Sequence, residues 1–418
     1  MSSPRVSIFT PSHRPTFLDD CYDSLKRQSF DDWEWIIVLN NGNKWSPRVT
    51  DDRIKIIDGS KLKGVGALKH RACQAATGDY LVELDHDDIL TDDALAEIVT
   101  AFDANPHVGF VYSRFAHITA DGKRSEHRYN ADMGWTYEDQ VINGENLLVT
   151  HQFPPVPSAV AYIWFAPNHV RAFRRSAYEA IGGYDPTLDI LDDQDLMCRM
   201  YLHSEFHLID KCLYLQRFHD ANTQHDAPTN MRIQQLTVQL YDRYIEPLAL
   251  TWAKRNNLLA LDMGAAHRKR EGYLGLDMYD VPGVDIVADV TKGIDLPDNS
   301  VGVIRAVDFL EHIPDKVALF NEMHRVLAHG GMLLSNTPST DGRGAFQDPT
   351  HVAFYNENSF WYYTRNNYRQ FVPQITCKFQ ESRLVTYFPD KWHEDNFISY
   401  VNANLVAIKD GPRLPGGL

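Results

Sequence analysis

Cysteine is scarce in this chain: five residues in 418 (Cys21, Cys73, Cys198, Cys212 and Cys377), odd in number and without CxxC spacing. That pattern argues against a disulfide framework or a cysteine zinc site, and the expected compartment is the reducing cytoplasm. Long apolar runs are also missing. No stretch approaches membrane-spanning length, and Met1 to Thr10 lacks the apolar core of a signal peptide, so no transmembrane segment is expected. Basic residues are in deficit, 41 Lys and Arg against 56 Asp and Glu for a net charge of −15, which argues against general nucleic-acid binding. Internal repeats and low-complexity segments are absent, and only residues 411–418 read as a flexible tail. The length exceeds what one hydrophobic core comfortably fills, so two domains are expected.

What is present is alternation of strands and helices. Val6 to Thr10, Trp35 to Leu39, Ile54 to Ile57 and Tyr80 to Leu84 read as strands, with helices carrying Leu18, Cys21, Tyr22 and Leu25, then Gly66 to Ala76, then Leu95, Ile98, Val99 and Phe102. The stretch from Asp103 to Pro167 is irregular, with a turn signal at Asp121-Gly122. A helix from Ser176 ends at Gly182-Gly183. Ile233, Leu236, Leu240 and Tyr244 form a helical stripe that Pro247 is expected to interrupt, giving a connector over 226–256. A second series follows, with strands at 258–263, 273–276, 285–288, 301–307 and 331–335, a helix over 315–327, and closing strands over 378–386 and 398–408.

The most pointed feature is Tyr80-Leu81-Val82-Glu83-Leu84-Asp85-His86-Asp87-Asp88, an apolar strand that stops in three carboxylates within four residues. Such crowding is relieved by a cation, and Mg²⁺ or Mn²⁺ takes carboxylate oxygens together with substrate phosphates. Taken alone, Asp87 and Asp88 are equally explained as solvated loop acids, with Thr91 capping the next helix.

Further motifs follow in order: Val6-Ser7-Ile8-Phe9-Thr10-Pro11, Trp35 to Gly42, Gly64-Val65-Gly66-Ala67, Leu84 to Asp88, Gly182-Gly183-Tyr184-Asp185, Asp192-Asp193-Gln194-Asp195-Leu196 and Arg217-Phe218-His219-Asp220-Ala221-Asn222. In this succession residues 1–225 resemble a family 2 glycosyltransferase of the GT-A fold. The resemblance implies inverting, metal-dependent transfer from a UDP-, GDP- or dTDP-sugar to an acceptor hydroxyl on a glycan, protein or lipid. It assigns Asp87, Asp85 and His219 to the metal, and Thr10, Pro11, Arg14, Asn40, Lys69, Asp85 and His86 to the donor. Asp193 is implied as the base that takes the acceptor proton, with Asp192 as the substitute. Asn40 stands where the family commonly has Asp, which leaves the nucleotide base open. Arg171 and Arg174 read equally as an anion site and as a basic strand edge.

Residues 257–410 resemble a class I S-adenosylmethionine-dependent methyltransferase of Rossmann-like fold, giving an α/β chain of two domains. Leu258 to Gly264 matches the first strand and glycine loop, Leu274-Gly275-Leu276-Asp277 the second strand with its acid, and Leu310-Glu311-His312-Ile313 a later landmark. The resemblance implies cofactor contacts at Gly264, Asp277 and Asp289, but Ala265-Ala266 replaces the usual Gly-x-Gly. Asp348 and His351, among Phe354, Tyr355, Phe360, Trp361, Tyr362 and Tyr363, form a candidate methyl-acceptor site, although such aromatics are more often core. Three functional readings result: a fused O-methylating glycosyltransferase, a glycosyltransferase with an inactive methyltransferase-like scaffold, and a noncatalytic carbohydrate-binding protein.

Overall fold

The computed structural model describes residues 3–162, 169–218, 227–410 and 413–414. The chain folds as two units, Met1–Pro155 with Ala159–Arg243, and Val156–Ser158 with Tyr244–Leu418.

The first unit opens with β1 (Val6–Ser12), α1 (Leu18–Lys26), β2 (Trp33–Leu39), β3 (Ile54–Asp58), α2 (Val65–Gln74), β4 (Tyr80–Glu83), β5 (Ile89–Leu90), α3 (Ala94–Ala104) and β6 (Val108–Ile118). It continues through β7 (Tyr137–Ile142), β8 (Glu145–Thr150), α4 (Pro157–Tyr162), β9 (Arg171–Arg174), α5 (Arg175–Ala180), α6 (Asp192–His203) and β10 (Glu205–Arg217). Among the described residues the sheet order is β3-β2-β1-β4-β9-β6-β10-β5, with the β7–β8 hairpin paired to β6. Strands β3, β2, β1 and β4 are parallel, whereas β9 runs antiparallel to β4. Every residue of β1, β2 and β4 is buried, as strands covered on both faces must be. The order reverses at β1, so a crevice opens at the carboxyl ends of β1 and β4, where ligands bind in such sheets. Asp85 to Asp88 follow β4 directly.

Beyond α7 (Ala227–Arg255), the second unit adds β11 (Leu259–Met263), β12 (Leu274–Asp277), β13 (Ile286–Val287), β14 (Val301–Val307), α8 (Lys316–Val326) and β15 (Leu327–Pro338). Then come α9 (Gly344–Gln347), α10 (Glu357–Thr364), α11 (Asn366–Arg369), β16 (Phe379–Tyr387), α12 (Lys391–Asp395) and β17 (Tyr400–Ala407). The described sheet order is β13-β12-β11-β14-β15-β17-β16, with β17 antiparallel to both neighbours. Here the reversal lies at β11, which puts Gly264 and Asp308 at the crevice. No described helix is long and apolar enough to cross a membrane.

Several expectations need correction. Pro247 does not interrupt the connecting helix but lies inside α7, where burial of Tyr244, Ile245, Leu248 and Ala249 around it outweighs the lost backbone bond. Thr91 does not cap α3; Asp93 stands at the cap, and the Thr91 hydroxyl donates to its carboxylate. The irregular stretch after Asp103 holds the long strand β6, disguised by the polar Ser113, Arg114 and His117. Tyr355, Phe360 and Tyr363 belong to the second unit's core, packed with Phe320 and Phe379, rather than to a sugar pocket.

Candidate active site

Glu83 is the last residue of β4, in an apolar run buried on both faces, and its carboxylate is fully covered. A buried charge survives only when paired. Lys69 of α2 reaches Glu83 Oε1 at 2.7 Å, Arg171 of β9 at 3.4 Å, and the Tyr184 hydroxyl donates to Oε2 at 2.8 Å. Both cations then turn outward to the start of α6: Lys69 Nζ lies 3.0 Å from Asp192, and Arg171 Nη2 lies 2.9 Å from Asp193. Burial opposes the charge on Glu83, but Lys69 and Arg171 overcome it and hold the carboxyl down to about 2. Asp192 goes the other way, pushed up to about 6 chiefly by burial.

Around the turn, burial and then Glu83 push the Asp85 carboxyl up to about 7. Asp88 is raised too, mainly by burial, and accepts the Arg217 backbone N–H at 2.7 Å. Arg217 Nε donates to the Asp87 carbonyl at 2.7 Å, so β10 fastens the acidic turn from behind. His169, buried and stacked on Tyr214 at 4.3 Å, offers a nitrogen within 4.8 Å of ligand atoms on Asp85 and Asp88. Burial and the Arg171 charge hold its imidazole well below the usual range.

The structure thus brings together Asp85, Asp87, Asp192, Asp193 and Lys69, whereas His219 lies outside the described residues. Thr10 is committed internally: its hydroxyl donates to the Leu84 carbonyl at 2.7 Å and accepts from Trp35 Nε1 at 2.8 Å. Pro11 is buried in β1, and Arg14 is exposed just beyond it. Asn40 is half-buried at the end of β2, its side-chain oxygen accepting from the Asn41 N–H at 2.8 Å. His86 packs edge-on against His13 at 4.7 Å. Lys69 is buried among carboxylates rather than facing solvent. Of the two arginines weighed as an anion site, Arg174 binds the carbonyls of Phe102, Asn105 and Val108, and Arg171 serves Glu83 and Asp193. Glu83, Tyr184 and His169 received no role from the sequence, and Asp88, which could be read as a solvated loop acid, is in fact buried. For Glu83 a signal existed, since a lone acid inside a doubly buried strand requires a cation.

In the second unit Gly264 has φ +70°, and a Cβ there would meet the Phe309 ring at 2.7 Å. Ala266 also adopts positive φ, and its N–H donates to Asp277 Oδ2 at 3.1 Å, while Tyr279 N–H donates to Oδ1 at 3.1 Å. Asp289 caps a short turn, accepting from the Thr291 N–H and hydroxyl. Asp348 likewise accepts from the N–H and hydroxyl of Thr350, and His351 lies beside Glu311.

Among curated proteins the chain is similar to the O-antigen biosynthesis protein RfbC of Myxococcus xanthus, 26% identical over 208 residues, covering 47% of this chain and 14% of that protein. It is also similar to the chondroitin synthase of Escherichia coli, 22% identical over 233 residues, covering 53% of this chain and 30% of the relative. The chain therefore spans less than a third of either length. Among solved structures it resembles S. aureus TarS 1-349 in complex with UDP, with a TM-score of 0.41 and 14% identity over 60% of this chain and 71% of that one. Family models match residues 7–182 as glycosyl transferase family 2 and residues 249–335 as a methyltransferase domain. The chain accordingly joins a family 2 glycosyltransferase domain to a methyltransferase domain.

Proposed function

We propose that the first unit performs inverting, cation-dependent transfer of a sugar from a nucleotide diphosphate sugar to an acceptor hydroxyl. The observation that carries this reading is the charge balance at the crevice. Glu83, Asp85, Asp87, Asp88, Asp192 and Asp193 outnumber the cations Lys69, Arg171 and Arg217 placed against them. Asp85 lies within this surplus, and burial followed by the Glu83 charge raises its carboxyl to about 7, a shift that a divalent ion bound there would reverse. The donor set fits Mn²⁺ or Mg²⁺, with Asp85 and Asp87 as ligands and His219 as a further one. When bound, such an ion offsets the charge that builds on the leaving diphosphate.

Asp193, fixed by Arg171 and by the Gln194 N–H at 2.8 Å, takes the proton from the acceptor hydroxyl. Both acids are paired with a cation, but Asp192 is buried whereas the Asp193 side chain keeps a face open to the crevice, which makes Asp192 the less suited base. Arg14, Asn40 and His86 contact the donor, while Thr10 and Pro11 shape the crevice floor. The relatives named for O-antigen and chondroitin synthesis support a glycan acceptor, and the donor is a UDP-, GDP- or dTDP-sugar. The five cysteines, all buried and free, agree with a reducing cytoplasm. Incubation with Mn²⁺ and each nucleotide sugar tests the reading: the expected result is nucleotide diphosphate release, falling about 100-fold or more in Asp87→Ala. Equal turnover by variant and parent would contradict it.

For the second unit we propose S-adenosylmethionine binding at the β11 crevice, with Gly264 giving close backbone approach and Asp277 receiving the ribose hydroxyls, followed by O-methylation of the glycan. A carboxylate has about four lone-pair sites, so the two N–H groups already on Asp277 leave acceptors free. The Ala266 methyl in the glycine loop favours the rival reading, a scaffold without activity.

A further inference from the structure

After β14 a short helical turn, Leu310–His312, presents Glu311 and His312. The chain returns to this turn forty residues later, where the N–H groups of Val352 and Ala353 both donate to the Glu311 carbonyl at 2.9 Å. That clasp sets His351 beside the turn, with Nε2 at 4.0 Å from Glu311 Oε1 and its ring edge-on to His312 at 5.1 Å. Glu311, His312 and His351 each offer a ligand atom, all within 4.8 Å of one another.

Two further features point to a ligand. Glu311 is 2% exposed; its Oε2 accepts from the Thr337 hydroxyl, but Oε1 is buried and has no hydrogen-bond partner. A buried carboxylate oxygen left unsatisfied is costly, and a cation answers it. The histidines, meanwhile, have a fixed polarity. His351 Nδ1 lies 3.0 Å from the Ala345 carbonyl, and His312 Nδ1 lies 3.3 Å from the Thr350 carbonyl. A carbonyl can only accept, and the Thr350 hydroxyl, 3.2 Å from His312 Nδ1, already donates its proton to Asp348, so both Nδ1 atoms carry the proton and both Nε2 lone pairs are left for a Lewis acid. Backbone carbonyls gripping Nδ1–H in this way are the usual outer support of metal-binding histidines.

We propose that Glu311, His312 and His351 form a site for a divalent first-row transition ion of the Zn²⁺ or Co²⁺ class. Two imidazoles and one carboxylate suit such ions, and three protein ligands leave a fourth position for water or a hydroxyl. Bonds of about 2.1 Å put ligand atoms roughly 3.4 Å apart in tetrahedral geometry, so the cluster closes by about an ångström on binding. Half-exposed His312 is the ligand free to make that adjustment. The site uses residues of the second unit alone and does not rest on either transfer reaction.

The test uses the full chain carrying Asp85→Ala, which removes a ligand shared by the proposed manganese site and the Asp88 and His169 group, stripped with chelator and titrated with Co²⁺ without nucleotide. The expected result is one equivalent bound with visible d–d absorption, bleached by Zn²⁺, and affinity lowered at least about tenfold by His312→Ala. Because His312 is half-exposed, that variant is expected to keep the parent's far-UV circular dichroism and melting temperature. Glu311→Gln, isosteric with the parent side chain, is a second probe with the same expected loss. Absence of d–d bands in the parent, or bands and affinity unchanged in both variants, would overturn the proposal.

Discussion

Glu83 takes part in no proposed chemical step, yet the geometry of the crevice depends on it. It is the shared anion of Lys69 and Arg171, and through them it aims Asp192 and Asp193. Glu83→Gln leaves two buried cations short of a partner, and removing one member of such a network costs about 3–5 kcal/mol. The cost depends on pH. Glu83 is held down to about 2 from an ordinary 4.5, so its stabilisation is fully present above about 4.5 and is lost as pH falls towards 2. Denaturant titrations of parent and variant are therefore expected to differ most near neutrality and to converge at acid pH. A difference that stays constant with pH would remove the ion network from the account.

At the level of elements, the approach of α2 to the loop before α6 is what would position Asp193, the proposed base. Gly66 N–H donates to the Leu188 carbonyl at 3.1 Å, and a Cβ on Gly66 would meet the carbonyl oxygens of Asp185 and Leu188 at 2.4 and 2.7 Å. Gly66→Ala must push the loop away, at about 1–3 kcal/mol, and should lower kcat more than it raises the KM for the donor. Unchanged kcat would show that the loop has no part in placing Asp193. The same packing explains what could be read in advance. Strand β2 was legible because burial on both faces demands an apolar run, as in Trp35 to Leu39. The acids after β4 were legible because like charges seldom cluster without cause. The long strand β6 was not, since Ser113, Arg114 and His117 break the pattern and find their partners only in the fold. Arg171 was ambiguous for a similar reason: its partners Glu83 and Asp193 lie 88 and 22 positions away, on different elements.

On the scale of the whole molecule, the chain is two α/β units, each with its own hydrophobic core and its own crevice at a reversal of strand order. Under the proposed function, fusion of the two domains raises the effective concentration of one step's product for the next. Calorimetry with S-adenosylmethionine tests whether the second crevice takes part: the expected result is binding lost in Asp277→Ala, and no heat at high ligand concentration would favour a scaffold. The first crevice bears the central claim, and its most direct test is anomalous diffraction from crystals grown with Mn²⁺ and UDP or GDP. The account predicts a manganese peak bonded to Asp85 and Asp87 and shared with the diphosphate at the carboxyl ends of β1 and β4. A crevice without manganese or diphosphate, with both aspartates turned away, would contradict it.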